Sequence, residues 1–447
     1  MSMRLRRDAG FTLIELMVGL ALGMLVMTAL TALLINVNRN NGELARNTSI
    51  IENGRFTMQL LEQDLSHAGY WGGFVPAFDD LSYPAPGRTY KSDAPNAAPD
   101  PCLSYSTTNW TTMTSSSTSV GYIQRLVGMP IQVYAVDSSG TAPTIGTCGS
   151  TWLQNLQPNT HVVFVAHAAP CTVGSSSDED CTAEAGALYF QYGNCTDSSS
   201  GYFTVFPYYM LAAASDASLS NFTQRNRGCS AGATARGTGK NDLAPAYKLS
   251  WHVYFVRNYS VASGDGVPTL MRRSFKLVGT SMAWAGAEAL IEGIEGFRVE
   301  LGIDAKNRAG TAVALTDFAD IVNWADAADR KNPTNRGDGN PDTFTQCGTG
   351  GCTTLQLANA TAVKLYVLVR ANTVTPSFRD GKTYTLGDTG GGGVCLLGSA
   401  ATGTGCTALA TPGNCQAGTV NTCDYRRHLY TRAVRLTNIS MRRELAS

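Results

Sequence analysis

The sequence has little charge and lacks the common catalytic motifs. Charged residues make up 15% of the 447 residues, and lysine plus arginine equal aspartate plus glutamate at 34 each, so the formal net charge is zero. A neutral chain has no general electrostatic attraction for nucleic acid or for an anionic membrane surface. No His-Glu-x-x-His pair, nucleophile elbow or phosphate-binding loop occurs, so the sequence predicts a protein that is not an enzyme.

Two further sets of residues are predicted to be structural. His161 and His167, two of only five histidines, flank an apolar segment, and we expect them to pack rather than to bind metal. Six arginines stand near the C terminus, at positions 426, 427, 432, 435, 442 and 443. We expect these arginines to form a charged strand face rather than a DNA-binding surface, so no nucleic-acid partner is predicted.

Proline is absent from the first 75 residues, so nothing there interrupts a long helix. Within this stretch, the apolar run of residues 11–35 contains one charge, Glu15, and is long enough to cross a bilayer as a single pass. A basic leader, residues 1–10, precedes the run, and the positive-inside rule places the leader in the cytoplasm and residues after about Asn36 outside. A secretory signal carries its apolar segment before the cleavage site and loses it, whereas here the polar leader comes first and the apolar segment would be retained.

Glu15 lies four residues after Phe11, in the segment Gly10-Phe11-Thr12-Leu13-Ile14-Glu15. A carboxylate at membrane depth costs roughly 3 kcal/mol and is usually retained because a partner pairs with it. The segment resembles the processing site of type IV prepilins, which implies that prepilin peptidase cuts after Gly10 and methylates Phe11. It also implies that Glu15 pairs with the Phe11 amine of a neighbouring subunit. In the alternative, Glu15 pairs within its own helix in an ordinary anchor.

Residues 11–68 are predicted to form one helix, membrane-spanning over 11–35 and amphipathic over 36–68. Beyond the membrane, apolar residues recur every seven positions, with Leu61 on the same flank: Val37, Leu44, Ile51, Met58 and Leu65. We expect this stripe to dock on a sheet rather than to form a coiled coil. Gly42 and Gly54 each weaken the helix by about 1 kcal/mol relative to alanine and would allow it to bend.

All twelve cysteines lie beyond the predicted helix, at positions 102, 148, 171, 181, 195, 229, 347, 352, 395, 406, 415 and 423. Their surroundings are rich in small polar residues and contain no Cys-x-x-Cys pair, which favours disulfides in an oxidising periplasm over zinc sites. The sequence does not determine the pairing. Proximity suggests Cys171 with Cys181 and Cys395 with Cys406, and the spacing of Cys347 and Cys352 suits a small disulfide loop.

Strand-like runs alternate with polar inserts through residues 69–447, the predicted extracytoplasmic head. The predicted strands are residues 122–127, 131–136, 161–166, 187–192, 202–208, 249–257, 269–278, 297–303, 363–370 and 429–436, with short helices at 287–294 and 317–327. The inserts at residues 104–119, 171–181 and 387–405 are predicted to be surface loops. The predicted fold class is α+β, with a long helix packed on an antiparallel sheet that carries disulfide-stapled loops.

The helix closes with Asp64-Leu65, followed by Ala68-Gly69-Tyr70-Trp71-Gly72-Gly73. This pattern, together with blocks at residues 293–297, 363–370 and 425–438, resembles the PilW group of minor pilins, and the overall organisation is that of a type IV pilin. We expect Gly69 to cap the helix in the left-handed conformation and Tyr70 and Trp71 to pack back on its last turn.

The resemblance implies a minor pilin that prepilin peptidase processes and that helps to prime type IV pilus assembly within a tip complex. Its implied partners are the major pilin, other minor pilins and a tip adhesin. Its implied location is the bacterial inner membrane with a periplasmic head, and then the pilus. Two alternatives stay open: a minor pseudopilin of a type II secretion system, and a membrane-tethered periplasmic binding protein or enzyme.

Calcium is the one cofactor that the sequence suggests. Asp338, Asn340 and Asp342 alternate as oxygen donors do in calcium loops, and Gly339 permits a tight turn, but no glutamate follows at the position that an EF-hand requires. A solvated turn accounts for the same residues, because Asp, Asn and Gly often form turns without metal.

Overall fold

The computed structural model describes residues 12–81, 91–114, 116, 117, 119–322, 328, 333–375, 378, 380, 382–387, 394–397, 407, 408 and 424–444. Its first element is α1 (Leu13–His67), a helix of 55 residues and therefore about 80 Å long. α1 is long and apolar enough to cross a membrane. All residues from 12 to 41 are exposed, and we call residues 13–41 the exposed segment of α1 and residues 42–67 its docked segment.

The docked segment packs chiefly on two strands of the head, β11 (Ala360–Arg370) and β15 (Arg427–Arg435). Its buried residues follow the 3.6-residue helical period: Ile50, Gly54, Thr57, Met58, Leu61 and Leu65. The predicted seven-residue stripe is therefore only partly correct, because Val37, Leu44 and Ile51 are exposed. A straight α-helix drifts by about 20° per heptad, so a strict seven-residue repeat leaves the docking face after two or three repeats.

The larger of two main sheets has eight antiparallel strands. β1, β2, β5, β3 and β4 lie in that spatial order, and β6 pairs with β5, β7 and β8. The strands are β1 (Ile131–Ala135), β2 (His161–Ala168), β3 (Leu188–Tyr192), β4 (Tyr209–Ala213), β5 (Ala246–Arg257), β6 (Thr269–Val278), β7 (Ser281–Trp284) and β8 (Glu288–Glu292).

The second main sheet has four antiparallel strands in the order β10-β9-β11-β15. Its strands are β9 (Ile294–Ile303), β10 (Thr343–Gln346), β11 (Ala360–Arg370) and β15 (Arg427–Arg435). A small third sheet contains β12 (Thr383–Leu386), β13 (Val394–Leu397) and β14 (Thr407–Ala408), of which β13 and β14 are parallel. The short helices are α2 (Tyr122–Gly128), α3 (Thr354–Ala358) and α4 (Thr437–Arg443), with 3-10 turns at Ala77–Asp79, Glu179–Cys181 and Leu315–Ala319.

Two hydrophobic cores hold these layers together. In the first, Met58, Leu61 and Leu65 of α1 meet apolar residues of β9 and β11, with contributions from the larger sheet. The second core is rich in aromatic residues and includes Trp71, Phe190 and Trp251. The observed architecture is thus a mixed α+β fold, with a long apolar helix packed on an antiparallel head as predicted.

Three predicted secondary-structure elements are wrong, and residues 387–405, predicted to be a surface loop, contain β13. Residues 122–127 form α2 rather than a strand, because a short apolar run fits either structure and packing decides between them. Residues 202–208 are not a strand, and β4 begins directly after them. Residues 287–294 contain β8 instead of a helix, since pairing with β6 overrides the helical propensity of alanine and glutamate. At 317–327, the structure has the 3-10 turn Leu315–Ala319, and residues 323–327 lie outside the described part.

Among the described residues, four disulfides cross-link the head: Cys102–Cys148, Cys171–Cys181, Cys195–Cys229 and Cys347–Cys352. The predicted pairs Cys171–Cys181 and Cys347–Cys352 are confirmed. The suggested pair Cys395–Cys406 lies outside the described side chains. The two longer bridges connect residues 46 and 34 positions apart, a separation that proximity along the chain does not reveal.

Candidate functional site

The predicted processing site lies at the start of the chain, where Gly10 and Phe11 fall outside the described residues. Thr12, the first described residue, caps α1 together with Glu15. The Thr12 backbone N–H donates to Glu15 Oε2 over 3.0 Å, the Thr12 hydroxyl donates to the same oxygen over 2.9 Å, and the Glu15 N–H donates to Thr12 Oγ1 over 3.3 Å. This reciprocal capping box satisfies backbone donors that the first turn of a helix leaves free.

The helix face that carries Glu15 continues with Gly19 and Gly23, at four-residue intervals. A methyl group at either glycine would meet no heavy atom within 4 Å among the described residues. The surface beside Glu15 is therefore a shallow groove along the exposed segment, flanked by Leu16 and Leu20. Glycines at this spacing let a second helix approach closely in a membrane.

In the docked segment, Gly54 is a contact point rather than the predicted bend. A Cβ at Gly54 would lie 2.0 Å from Cε2 of Tyr430 on β15, so only glycine admits this ring against the helix. The Tyr430 hydroxyl also donates to the Ile50 carbonyl over 3.4 Å. At Gly42, by contrast, the nearest neighbour of a Cβ would be the flexible side chain of Arg46, at 3.6 Å.

Polar contacts add to this docking. Glu62 pairs with Arg432 over 2.6 Å, Glu43 pairs with Arg426 over 3.5 Å, and the Asn53 amide donates to the Glu292 carbonyl over 3.0 Å. These pairs fix the side of the sheet on which the helix lies.

The six C-terminal arginines are all ion-paired, and the expected charged strand face is only partly observed, because three of them, Arg427, Arg432 and Arg435, lie on β15. Arg427 is buried between Glu295, at 2.5 Å, and Asp380, at 3.2 Å. Arg443 is buried between Asp79 and Asp304, at 2.8 and 3.1 Å. The remaining pairs are Arg426 with Glu43, Arg432 with Glu62, Arg435 with Glu444 and Arg442 with Asp79. Engaged in this way, the arginines stabilise the fold and its contact with α1.

The oxygens of the suggested calcium loop accept hydrogen bonds from the backbone. Asp338 Oδ1 accepts from the Asn340 N–H over 2.9 Å, and Asp342 Oδ2 accepts from the N–H groups of Ala305 and Lys306 over 2.9 and 2.8 Å. Such bonds stabilise turns without metal. Calcium binding by Asp338, Asn340 and Asp342 stays a prediction.

The turn after α1 directs Trp71 into the head. Gly69 adopts the predicted left-handed conformation, with φ of +71°. Trp71 does not pack back on the last helical turn as predicted. Its ring lies 5.2 Å from that of Phe190, and its indole N–H donates to the Val127 carbonyl over 3.1 Å. The turn after α1 thus places Trp71 in the second hydrophobic core.

Sequence reasoning missed a cluster at the end of α1, formed by Asp64, His167 and His252 and here called the Asp64 cluster. His167 Nε2 lies 2.9 Å from Asp64 Oδ1, and His252 Nδ1 lies 3.0 Å from Asp64 Oδ2. The histidines come from β2 and β5, on the sheet face that meets α1. His167 was expected to be structural, and no motif spacing reveals the cluster, because its residues lie 103 and 188 positions from Asp64.

Electrostatics in the Asp64 cluster favour the charged forms of Asp64 and His167. Burial alone would raise the pKa of the Asp64 carboxyl, but the two histidines outweigh burial and hold that pKa well below its usual range. Burial lowers the pKa of His167, whereas its hydrogen bond to Asp64 and the negative charge there raise it, and the net result is a pKa above the ordinary value. The cluster therefore ties the helix to the sheet through ionic hydrogen bonds.

His161, by contrast, is fully buried beside a cation. Its Nε2 lies 3.1 Å from Arg298 Nη1, and its Nδ1 accepts from the Val299 N–H over 3.1 Å. Burial and the positive charge of Arg298 hold the pKa of His161 well below its ordinary value. His161 is a neutral, structural residue that links β2 to β9.

Two family models match the chain. The prokaryotic N-terminal methylation motif matches residues 5–31, and the type IV pilus-assembly protein W family, PilW, matches residues 253–438. No match is found among curated proteins or among solved structures. The first match covers the start of α1 and Glu15, and the second covers the end of β5, strands β6 to β8 and the four-stranded sheet that receives the docked segment. Both matches are to families of type IV pilus proteins, and together they support the similarity of the chain to PilW-like minor pilins.

Proposed function

We propose that the chain is an inner-membrane prepilin that prepilin peptidase cleaves after Gly10 and methylates at Phe11. The mature protein, beginning at Phe11, then helps to prime type IV pilus assembly within a tip complex. Residues 11–35 span the membrane before assembly, and residues 69–447 form a periplasmic head. The methylation-motif match over residues 5–31 supports processing at this junction.

The observation that carries the proposal is the difference in burial along α1. Every residue from 12 to 41 is exposed, whereas residues from Ile50 onward pack on the head. An apolar helix surface of this size is stable only in lipid or against other apolar helices. A single-pass anchor needs lipid alone, but the Glu15–Gly19–Gly23 face also suits close contact with a neighbouring helix.

Glu15 is proposed to direct this contact by pairing with the Phe11 amine of a neighbouring subunit. Both hydrogen bonds from Thr12 go to Oε2, so among the described residues Oε1 remains available to a further donor. In a low-dielectric environment, an ammonium group is the partner that best offsets the cost of burying a carboxylate. Such a pair sets the axial register of one subunit on the next.

The head is proposed to recruit other minor pilins, the major pilin or a tip adhesin. Four disulfides support an oxidising, extracytoplasmic location. The C-terminal arginines are engaged within the fold, which argues for association with proteins rather than with DNA.

Mass spectrometry of the N terminus tests the proposal. Wild-type protein from cells with active prepilin peptidase should begin with N-methylated Phe11. Gly10→Val should block processing, because a β-branched side chain obstructs an approach that glycine permits. Gly23→Val is the matched control within the retained segment and should be processed normally. An intact Met1 terminus on the wild-type protein would contradict the prepilin assignment.

Deletion of the gene separates the pilus from a type II secretion system. Loss of surface pili with normal export of type II substrates is expected. Loss of export with normal pili would assign the protein to the secretion system, and normal function of both would favour a membrane-tethered periplasmic protein.

A further inference from the structure

The Asp64 cluster has the composition and geometry of a metal site. We propose that Asp64, His167 and His252 bind a divalent transition-metal ion, with zinc preferred, and that the ion joins the end of α1 to the eight-stranded sheet. These three residues are the one group of metal-ligating side chains that converges within the described part of the chain, with ligand atoms all within 4.8 Å of one another.

The spacing of the ligand atoms fits a tetrahedral ion. Zinc bonds of 2.0–2.1 Å place neighbouring ligands about 3.3 Å apart. The carboxylate oxygens of Asp64 lie 2.9 Å from His167 Nε2 and 3.0 Å from His252 Nδ1. If each of these nitrogen–oxygen distances increased by a few tenths of an ångström, the ion would fit between the ligand atoms. It would then take the place of the hydrogen in each of the two hydrogen bonds.

His167 is already oriented as metal-bound histidines are. Its Nδ1 lies 2.8 Å from the Ala168 carbonyl, an acceptor, so Nδ1 carries a hydrogen and Nε2 points at Asp64. A metal-ligating histidine usually donates a hydrogen bond from its other ring nitrogen to a carboxylate, a backbone carbonyl or water. That hydrogen bond fixes the tautomer and the orientation of the ring.

The surroundings also suit an ion at this position. The hydroxyl of buried Tyr254 interacts with both Asp64 and Arg272. The side chains of His167, Asp64 and His252 retain 5%, 11% and 18% of their exposure. The cluster is therefore largely buried but keeps some contact with solvent.

The ligand set selects the class of metal. Two imidazoles and one carboxylate suit zinc and neighbouring transition metals, whereas calcium and magnesium prefer oxygen ligands alone. Because α1, β2 and β5 each supply one ligand, a bound ion would fix the head on the helix. Zinc binding at this position does not depend on pilus assembly, so either can fail without the other.

Zinc titration of the full-length protein in detergent tests the site. The wild type, stripped of metal and then dialysed against zinc, should retain one equivalent by elemental analysis, and its melting temperature should rise with zinc concentration. His167→Ala and His252→Gln should each weaken zinc binding by more than about tenfold. Cobalt should give the visible absorption of a four-coordinate ion in the wild type and lose it in both variants.

His428→Ala is the matched control, because this exposed histidine lies on β15 and outside the cluster. It should bind zinc as the wild type does. Disulfide mapping verifies that each variant is folded, and His252→Gln retains a polar group that can still contact Asp64. Absence of zinc uptake by the wild type, or equal uptake by folded His167→Ala and His252→Gln, would overturn the proposal.

Discussion

The exposed and docked segments of α1 belong to one continuous helix, but the first is exposed and the second packs on the head. Leu22, in the exposed segment, retains 59% of its surface, whereas Leu61, in the docked segment, retains 1%. The space beside Gly19 is empty, whereas the space beside Gly54 is occupied by the ring of Tyr430. Glu15 is bonded only to its own helix among the described residues, while Glu62 is paired with the head.

Leucine, glycine and glutamate therefore have different roles in the two segments of α1. In the docked segment, one face of the helix is buried against the head, as Met58, Leu61 and Leu65 show. In the exposed segment, the same residue types form a surface whose partners must be lipid or other subunits. Removing a side chain should consequently affect folding in one segment and association in the other.

The largest stability difference is expected for leucine truncation. Leu61→Ala should lower the free energy of unfolding of the head by about 2–5 kcal/mol, because it removes a fully buried side chain and leaves a cavity. Leu22→Ala should leave that free energy unchanged. Urea unfolding of the two variants in detergent, followed by tryptophan fluorescence, measures the difference. Equal losses would show that the boundary between the segments is misplaced.

Replacing glycine by alanine should change the stability by a smaller amount, and in opposite directions at the two glycines of the docked segment. Gly54→Ala should destabilise by about 1–3 kcal/mol because the new methyl group overlaps the Tyr430 ring. Gly42→Ala should stabilise by up to about 1 kcal/mol, since alanine favours helix and the space is open. Thermal unfolding measures both changes. The double variant Gly54→Ala/Tyr430→Ala should lose less than the sum of its single variants, and strict additivity would contradict the contact.

The smallest stability effect is expected at Glu62. Its pair with Arg432 is partly exposed, so Glu62→Ala should cost no more than about 1 kcal/mol and should leave processing and piliation normal. Thermal unfolding and counts of surface pili check this. A loss of pili at Glu62→Ala would show that the docked segment, too, contacts other subunits.

The sequence was most informative where the signal is local. The segment from Gly10 to Glu15, the proline-free stretch and the strand-like runs that form β6 and β11 are each recognised from residues close together in the sequence. The pair Cys171–Cys181 was suggested by proximity for the same reason. These features predicted the fold class, the anchor and the family.

The sequence was uninformative where the structure depends on distant contacts. Nothing near Gly54 indicates Tyr430, nor does Cys102 indicate Cys148, and Asp64 meets His167 and His252 only because β2 and β5 pair beneath the helix. The seven-residue stripe failed for a geometric reason, since a straight helix follows a 3.6-residue period. Short apolar runs such as residues 122–127 suit helix and strand alike until packing selects one.

Piliation by the Glu15→Ala variant tests the central claim, that the exposed segment serves assembly while the docked segment serves folding. In a deletion strain, this variant should be processed, should remain in the membrane and should unfold like the wild type. It should nevertheless fail to restore pilus number and cross-linking to other pilins, because the carboxylate that pairs with a neighbouring amine is gone. Normal piliation and normal cross-linking by Glu15→Ala, in a strain that requires the wild-type protein for pili, would contradict the account.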